Sequence, residues 1–139
     1  MQISTDPTRL DVTRIHRWLS TDTPWAHGRS LTTVRTSIEG SLPFGAYTDA
    51  GEQIGFARVV TDGATFAWLC DVYIDRAHRG HGIGSTLARA VVDELAPLNL
   101  TRVLLSTIDA HEVYARVGFT PLPEPTKLMV LTGPTRPPC

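Results

Sequence analysis

The stretch Asp75 to Thr86, DRAHRGHGIGST, constrains this chain more than any other part of it. Gly80, Gly82 and Gly84 alternate there, a run that costs conformational entropy unless something needs the bare backbone. Ahead of it, Thr65 to Ile74 reads TFAWLCDVYI, rich in aromatic and β-branched residues, and predicts a central strand. Behind it, Ile83, Leu87, Val91 and Leu95 recur every four residues, with Ala88 and Val92 alongside. That is an amphipathic helix, stopped by Pro97. The first amides of such a helix have no intrahelical partners and carry the positive end of its dipole. Glycines there let an anionic group approach the backbone, and Arg79 adds charge. The alternative is a tight left-handed turn before a packed helix.

Two common phosphate motifs do not fit. The dinucleotide pattern G-x-G-x-x-G can start at Gly80 and Gly82 but meets Ser85 where its third glycine belongs. A P-loop needs a lysine, and this segment has none. Composition narrows the classes further. The formal net charge is -1, without strong Lys/Arg clusters, which argues against a nucleic-acid partner. Cys70 and Cys139 stand far apart and suggest neither a disulfide framework nor a zinc site, so no metal is expected. The N-terminal MQISTDPTRL has no apolar leader, and no run approaches a membrane span, so a cytoplasmic protein without a membrane partner is the expectation.

The remaining pattern predicts one domain over residues 1–139, with about 133–139 as a loose tail. Apolar spacing predicts a helix from Asp6 to Ser20 and a second from Ser30 to Ile38, separated by the loop Thr23 to Arg29. Strands are expected at Phe44 to Thr48 and Gln53 to Val60, joined by a hairpin turn at Asp49 to Glu52. Beyond the long helix, Arg102 to Ile108 reads as a buried strand. Asp109 and Glu112 read as a capping box opening a short helix that Gly118 closes. A last strand is expected around Lys127 to Leu131, after the Pro-rich TPLPEPT. Helices, a meander of strands, then strand–loop–helix–strand–helix–strand imply a mixed α/β sheet.

Arg79 to Gly84 matches R/Q-x-x-G-x-G/A, the acetyl-CoA-binding signature of the GCN5-related N-acetyltransferase (GNAT) superfamily, which the chain resembles. CDVYIDRAHRG resembles that family's lead-in to the loop, and DAHEVYARVGF resembles its N-A-x-x-L-Y-x-K-x-G-F segment. Together these cover Trp68 to Phe119. TDGATFAW and WAHGR also resemble a small bacterial subgroup. The resemblance implies a seven-stranded mixed sheet splayed between strands four and five, with pantetheine inserted like an extra strand. It implies acetyl-CoA as donor, direct acetyl transfer to a primary amine, a small-molecule acceptor and a possible homodimer. The competing readings are a CoA-sensing or interaction module without turnover, and a nucleotide-binding α/β protein.

Direct transfer sets three demands on the residues. The diphosphate must be held, for which the backbone and side chains of Arg79, Gly80, His81, Gly82, Ile83, Gly84 and Ser85 are candidates. The thioester carbonyl must be polarised, for which amides of the splayed strand at Val72, Tyr73 and Ile74 are candidates. The leaving thiolate must be protonated and the amine must arrive neutral. Tyr114 matches the family's general acid. Transfer from a tyrosine near 10 to a thiolate near 8.5 is uphill by only about 2 kcal/mol.

Asp71, near the splay point, is the candidate base, with a substrate cation site or an arginine partner as alternatives and Glu39 or water as rivals. Strict alternation places Asp71 with Leu69 and Tyr73. Asp109 stands where the family has asparagine, and Arg116 where it has lysine; both remain candidate cofactor contacts. The family's substrate loop corresponds to the segment holding Trp25, His27 and Arg29. Trp25 and Arg29 are candidate substrate contacts, with a core anchor and a helix cap as their structural alternatives. His111 is a third, one helical turn before Tyr114, with a solvent-facing histidine as its alternative. Phe66 and Trp68 are expected to pack on the sheet.

Overall fold

Five strands form one mixed sheet in a computed structural model that describes residues 1–133. They are β1 (Gln2–Ser4), β2 (Leu42–Tyr47), β3 (Gln53–Thr61), β4 (Phe66–Ile74) and β5 (Arg102–Leu105), in spatial order β1-β2-β3-β4-β5. The first four run antiparallel to their neighbours, and β5 is parallel to β4. The helices are α1 (Val12–Asp22), α2 (Leu31–Glu39), α3 (Ile83–Leu95) and α4 (His111–Ala115).

Local chemistry explains the boundaries. The first expected helix is broken in two: Asp6 caps a 3-10 turn at Pro7–Arg9, and Asp11 caps α1 by accepting from the Arg14 amide. Ser30 caps α2 through the Thr33 amide. The expected capping box at Asp109 does not form. Ala110 is the cap residue of α4, with no side-chain cap bond, and its own amide donates to Thr107 Oγ1 at 3.0 Å. Gly118 closes that segment with a φ of +106°, where a side chain would be strained.

Helices cover both faces of the sheet. On one side, Leu87, Ala88, Val91 and Leu95 of α3 and Tyr114 of α4 pack on Phe44, Ala57, Val59, Ala67 and Leu69. On the other, Ile15, Trp18 and Leu19 of α1 and Val34 and Ile38 of α2 pack on Phe56 and Tyr73. Burying each large aliphatic side chain contributes roughly 1.5–3 kcal/mol, so these two cores carry the fold. Among the described residues no helix is long and apolar enough to cross a membrane.

Three expectations need correction. The sheet has five strands among the described residues, not seven. β5 stops at Leu105 rather than continuing to Ile108. The last strand does not form: Lys127 ends a 3-10 turn, and Leu128 to Leu131 join no ladder because no strand lies beside them. In compensation β1, a short strand not expected at all, pairs with β2 from Gln2↔Tyr47 to Ser4↔Gly45. Most of the expected tail lies outside the described residues.

Candidate active-site cleft

β4 and β5 pair only from Phe66↔Arg102 to Leu69↔Leu105. β4 then runs on to Ile74 along β3 while β5 has ended, so the two strands part. A cavity of about 620 Å³ occupies the gap. Its floor is β4 from Trp68 to Ile74; one wall is the loop Asp22 to Trp25; the other is Leu105 to Ala110 together with Tyr114. Past Leu69, the β5-facing edge of β4 has no strand beside it among the described residues, which leaves backbone groups available to a ligand.

At the parting point β4 carries a bulge. Phe56 pairs with Tyr73 and Arg58 with Cys70, so Asp71 and Val72 together oppose Ala57 alone. Asp71 takes a φ of +54°, a left-handed value that aspartate tolerates better than most residues. The bulge breaks strict alternation. Leu69 and Val72 pack toward α3, whereas Asp71 and Tyr73 turn to the α1–α2 side, so Asp71 does not share a face with Leu69.

Both carboxylate oxygens of Asp71 are engaged. Oδ1 accepts from Trp25 Nε1 at 2.9 Å. Oδ2 accepts from Arg29 Nη1 and from Arg58 Nε, each at 2.7 Å. The Asp71 side chain has no exposed surface. Burial alone pushes its pKa up, but Arg58, then Arg29 and the Trp25 hydrogen bond, outweigh it and hold the carboxyl below its ordinary value. Trp25 lines the cavity as well as bonding to Asp71; Arg29 lies behind it and does not line it. Arg29 therefore pairs with Asp71 rather than facing the cavity.

Asp22, the last residue of α1, gathers a second set of partners. It accepts from Tyr73 Oη, from Arg76 Nε at 2.8 Å and from Arg76 Nη2, and it lies 3.5 Å from Arg79 Nη2. The Arg76 and Tyr73 hydrogen bonds lower its pKa to about 2. The loop between Asp22 and Trp25 is thus tied to β4 at both ends, through Tyr73 and through Asp71.

Tyr114 reaches the cavity from α4, 9% exposed, with its ring edge-on to Phe119 at 5.9 Å. Its hydroxyl has no hydrogen-bond partner among the described residues. Burial, with a smaller push from the Asp109 carboxylate, raises its pKa above the ordinary value. Asp109 lines the same cavity; His111 is exposed and does not, and neither does Glu39. Trp68 lines the cavity, and Phe66 is 36% exposed at the start of β4, so neither is simply buried sheet packing.

The glycine loop adjoins this cleft. Gly80 and Gly82 have φ of +83° and +76°, and Gly82 is the residue before α3, with no side-chain cap. Gly84 is different. Its φ is ordinary, and an added Cβ would meet nothing nearer than Ile74 Cγ1 at 4.0 Å. The first hydrogen bond back into the helix start is Thr86 to the Gly82 carbonyl, leaving the amides of Ile83, Gly84 and Ser85 without such a bond. A second cavity of about 190 Å³ lies there, bordered by Gly80, Gly82, Ile83, Gly84 and Ser85. Arg79 borders both cavities: its Nε donates to the Ile74 carbonyl at 2.9 Å and its guanidinium lies over the Tyr73 ring. His81 points elsewhere, with Nδ1 3.1 Å from the His78 carbonyl.

Sequence reasoning missed Asp22, Arg58 and Arg76. Arg58 left a signal: an arginine inside the apolar run IGFARVV, beside a strand with an aspartate inside LCDVYI, implies a buried pair. Asp22 left none, being 51 residues from Tyr73.

A cleft opened by a splayed parallel pair, with unpaired helix amides at its end, is the architecture of an acetyltransferase fold. The chain belongs to the Acetyltransferase (GNAT) family, whose sequence model matches residues 12–119. A crystal structure of an inferred GNAT acetyltransferase from Xanthomonas campestris is 46% identical, covers 96% of this chain and 93% of its own, and superposes with a TM-score of 0.89. An inferred acetyltransferase of Gibberella zeae is 31% identical over 133 residues, 82% of this chain and 75% of its own. A Mycobacterium tuberculosis protein solved in complex with CoA shares the fold, at a TM-score of 0.73 and 23% identity, over 88% of this chain and 73% of its own. Acetyl transfer is the activity of this family.

Proposed function

We propose that this protein transfers an acetyl group from acetyl-CoA directly to a primary amine of a small-molecule acceptor. The observation that carries the reading is the alignment of three features along one groove: the amides of Ile83, Gly84 and Ser85, the unpaired edge of β4 and the Tyr114 hydroxyl. Bound acetyl-CoA supplies the activated thioester. The residues present suit it. The helix-start amides and Arg79 offer positive charge to a diphosphate, and the groove edge from Val72 to Ile74 offers backbone partners to an amide-bearing chain.

Within that arrangement the amides near Val72 polarise the thioester carbonyl. Tyr114 keeps its proton at neutral pH and donates it to the departing thiolate. Asp71 is a positioning residue: with both oxygens engaged and its pKa depressed, it holds Trp25 and the acceptor wall, and the amine proton leaves to water. Trp25 contacts the acceptor. Arg29 reaches it only through Asp71, and exposed His111 and His81, which border neither cavity, carry no part of the reaction.

The test is a screen of small amines for CoA thiol release, with Tyr114→Phe as control and CoA binding followed by calorimetry. At least one amine class should release thiol, and Tyr114→Phe should suppress it while CoA still binds. Tight CoA binding with no release for any amine would instead establish a binding module.

A further inference from the structure

One side-chain nitrogen beside the small cavity has no hydrogen-bond partner among the described residues. His78 ends the 3-10 turn Arg76–His78, and its ring borders that cavity together with Arg79, Gly80, Gly82, Gly84 and Ser85. The side chain is about one-third exposed, yet its Nδ1 is buried and unbonded. Asp75 Oδ2 stands 3.7 Å from Nδ1, just beyond hydrogen-bond reach, while Asp75 Oδ1 accepts from the Ala77 amide at 3.4 Å. A buried polar atom left unpaired costs about 1–3 kcal/mol, so native folds keep few of them.

The charge state of the ring explains the arrangement. A neutral imidazole carries one N–H, whereas the imidazolium donates from both nitrogens. With Nδ1 turned to Asp75, Nε2 is the nitrogen left to meet an anion in the cavity. The charges around the ring oppose one another. Asp75 favours a positive ring; Arg79, on the same cavity, and Arg76, held by Asp22, disfavour it. His81 lies outside the cavity, its Nδ1 3.1 Å from the His78 carbonyl, and the other bordering residues from Ile74 to Val113 are uncharged. An entering diphosphate tips this balance by adding negative charge on the cavity side of the ring.

We propose that His78 is a further donor-binding residue, which takes up a proton from solvent when the CoA diphosphate enters and holds the phosphate through Nε2–H. A small turn of the ring then closes the gap between Nδ1–H and Asp75. The inference rests on the donor site proposed above. Because the contact needs the charged ring, donor affinity is greatest in mild acid and falls as pH rises.

The experiment is calorimetry of dephospho-CoA binding between pH 6 and pH 8, in two buffers of different ionisation enthalpy. This probe keeps the diphosphate but lacks the 3′-phosphate, whose own ionisation near about 6 would add a second proton. The native chain should take up about half a proton at pH 7 and bind about fivefold more weakly at pH 8 than at pH 6. His78→Gln should take up none and bind alike at both, whereas His81→Gln should behave as the native chain. Binding without proton uptake, uptake that survives His78→Gln, or uptake lost in His81→Gln would each overturn this proposal and leave the donor site standing. Failure of both CoA and dephospho-CoA to bind at any pH would overturn the donor site and this proposal with it.

Discussion

Tyr114 is the residue on which turnover depends most directly. Its ring is packed into the α3-side core and the residue lines the cleft, so removing only the hydroxyl oxygen leaves the packing nearly unchanged. Tyr114→Phe should lower kcat by about 10²-fold, within the usual range for a general acid, with CoA affinity and melting temperature preserved. Because burial raises its pKa, the protonated form persists beyond the ordinary tyrosine value near 10. The pH–rate profile should therefore show no alkaline loss from this group below about pH 10.

Asp71 makes a different demand, on stability. Asp71→Asn keeps a residue that tolerates the left-handed backbone but removes the charge between two arginines. It should destabilise the protein by about 3 kcal/mol in urea unfolding, as breaking a buried pair does. The linkage has a definite sign. With the folded pKa depressed, the carboxylate's contribution is whole above its unfolded value near 4 and is lost as pH falls through the folded one. In the native protein, then, acid should begin to erode stability only below about pH 4.

At the scale of elements, the glycine loop divides into two chemistries. Gly82 is needed for its backbone angle, so Gly82→Ala should cost about 1 kcal/mol of stability as well as CoA affinity. Gly84 is helical and its missing side chain faces the small cavity. Gly84→Ala should hold or raise stability by about 0.5 kcal/mol while weakening CoA binding in calorimetry. Equal affinity in Gly84→Ala would remove that cavity from the donor site.

Much of this level is readable in the chain. Ile83, Leu87, Val91 and Leu95 are all buried, as their spacing requires, because helical period and one-sided burial are the same fact. The bulge at Asp71 is not readable, since it arises from a mismatch between two strands, and neither sequence alone contains it. The same holds for β1: three residues with no strong pattern become a strand only because β2 lies alongside. Asp109 shows the opposite failure, a strong local signal that goes unused because the helix starts one residue later, with Ala110 as its cap.

For the whole molecule, the cleft lies where the two cores meet: its floor is β4, which sends Leu69 toward the α3 side and Tyr73 toward the α1–α2 side.

Trp25 and Trp68 lie on one cavity, while Trp18, the remaining tryptophan, stacks on Tyr73 beneath the α1 side. Indole emission responds to solvent and to hydrogen bonding at Nε1, and Trp25 already donates there to Asp71. The cleft therefore carries its own optical reporter. Candidate acceptors can be ranked by the shift they induce in native fluorescence, before any turnover is sought and without a label.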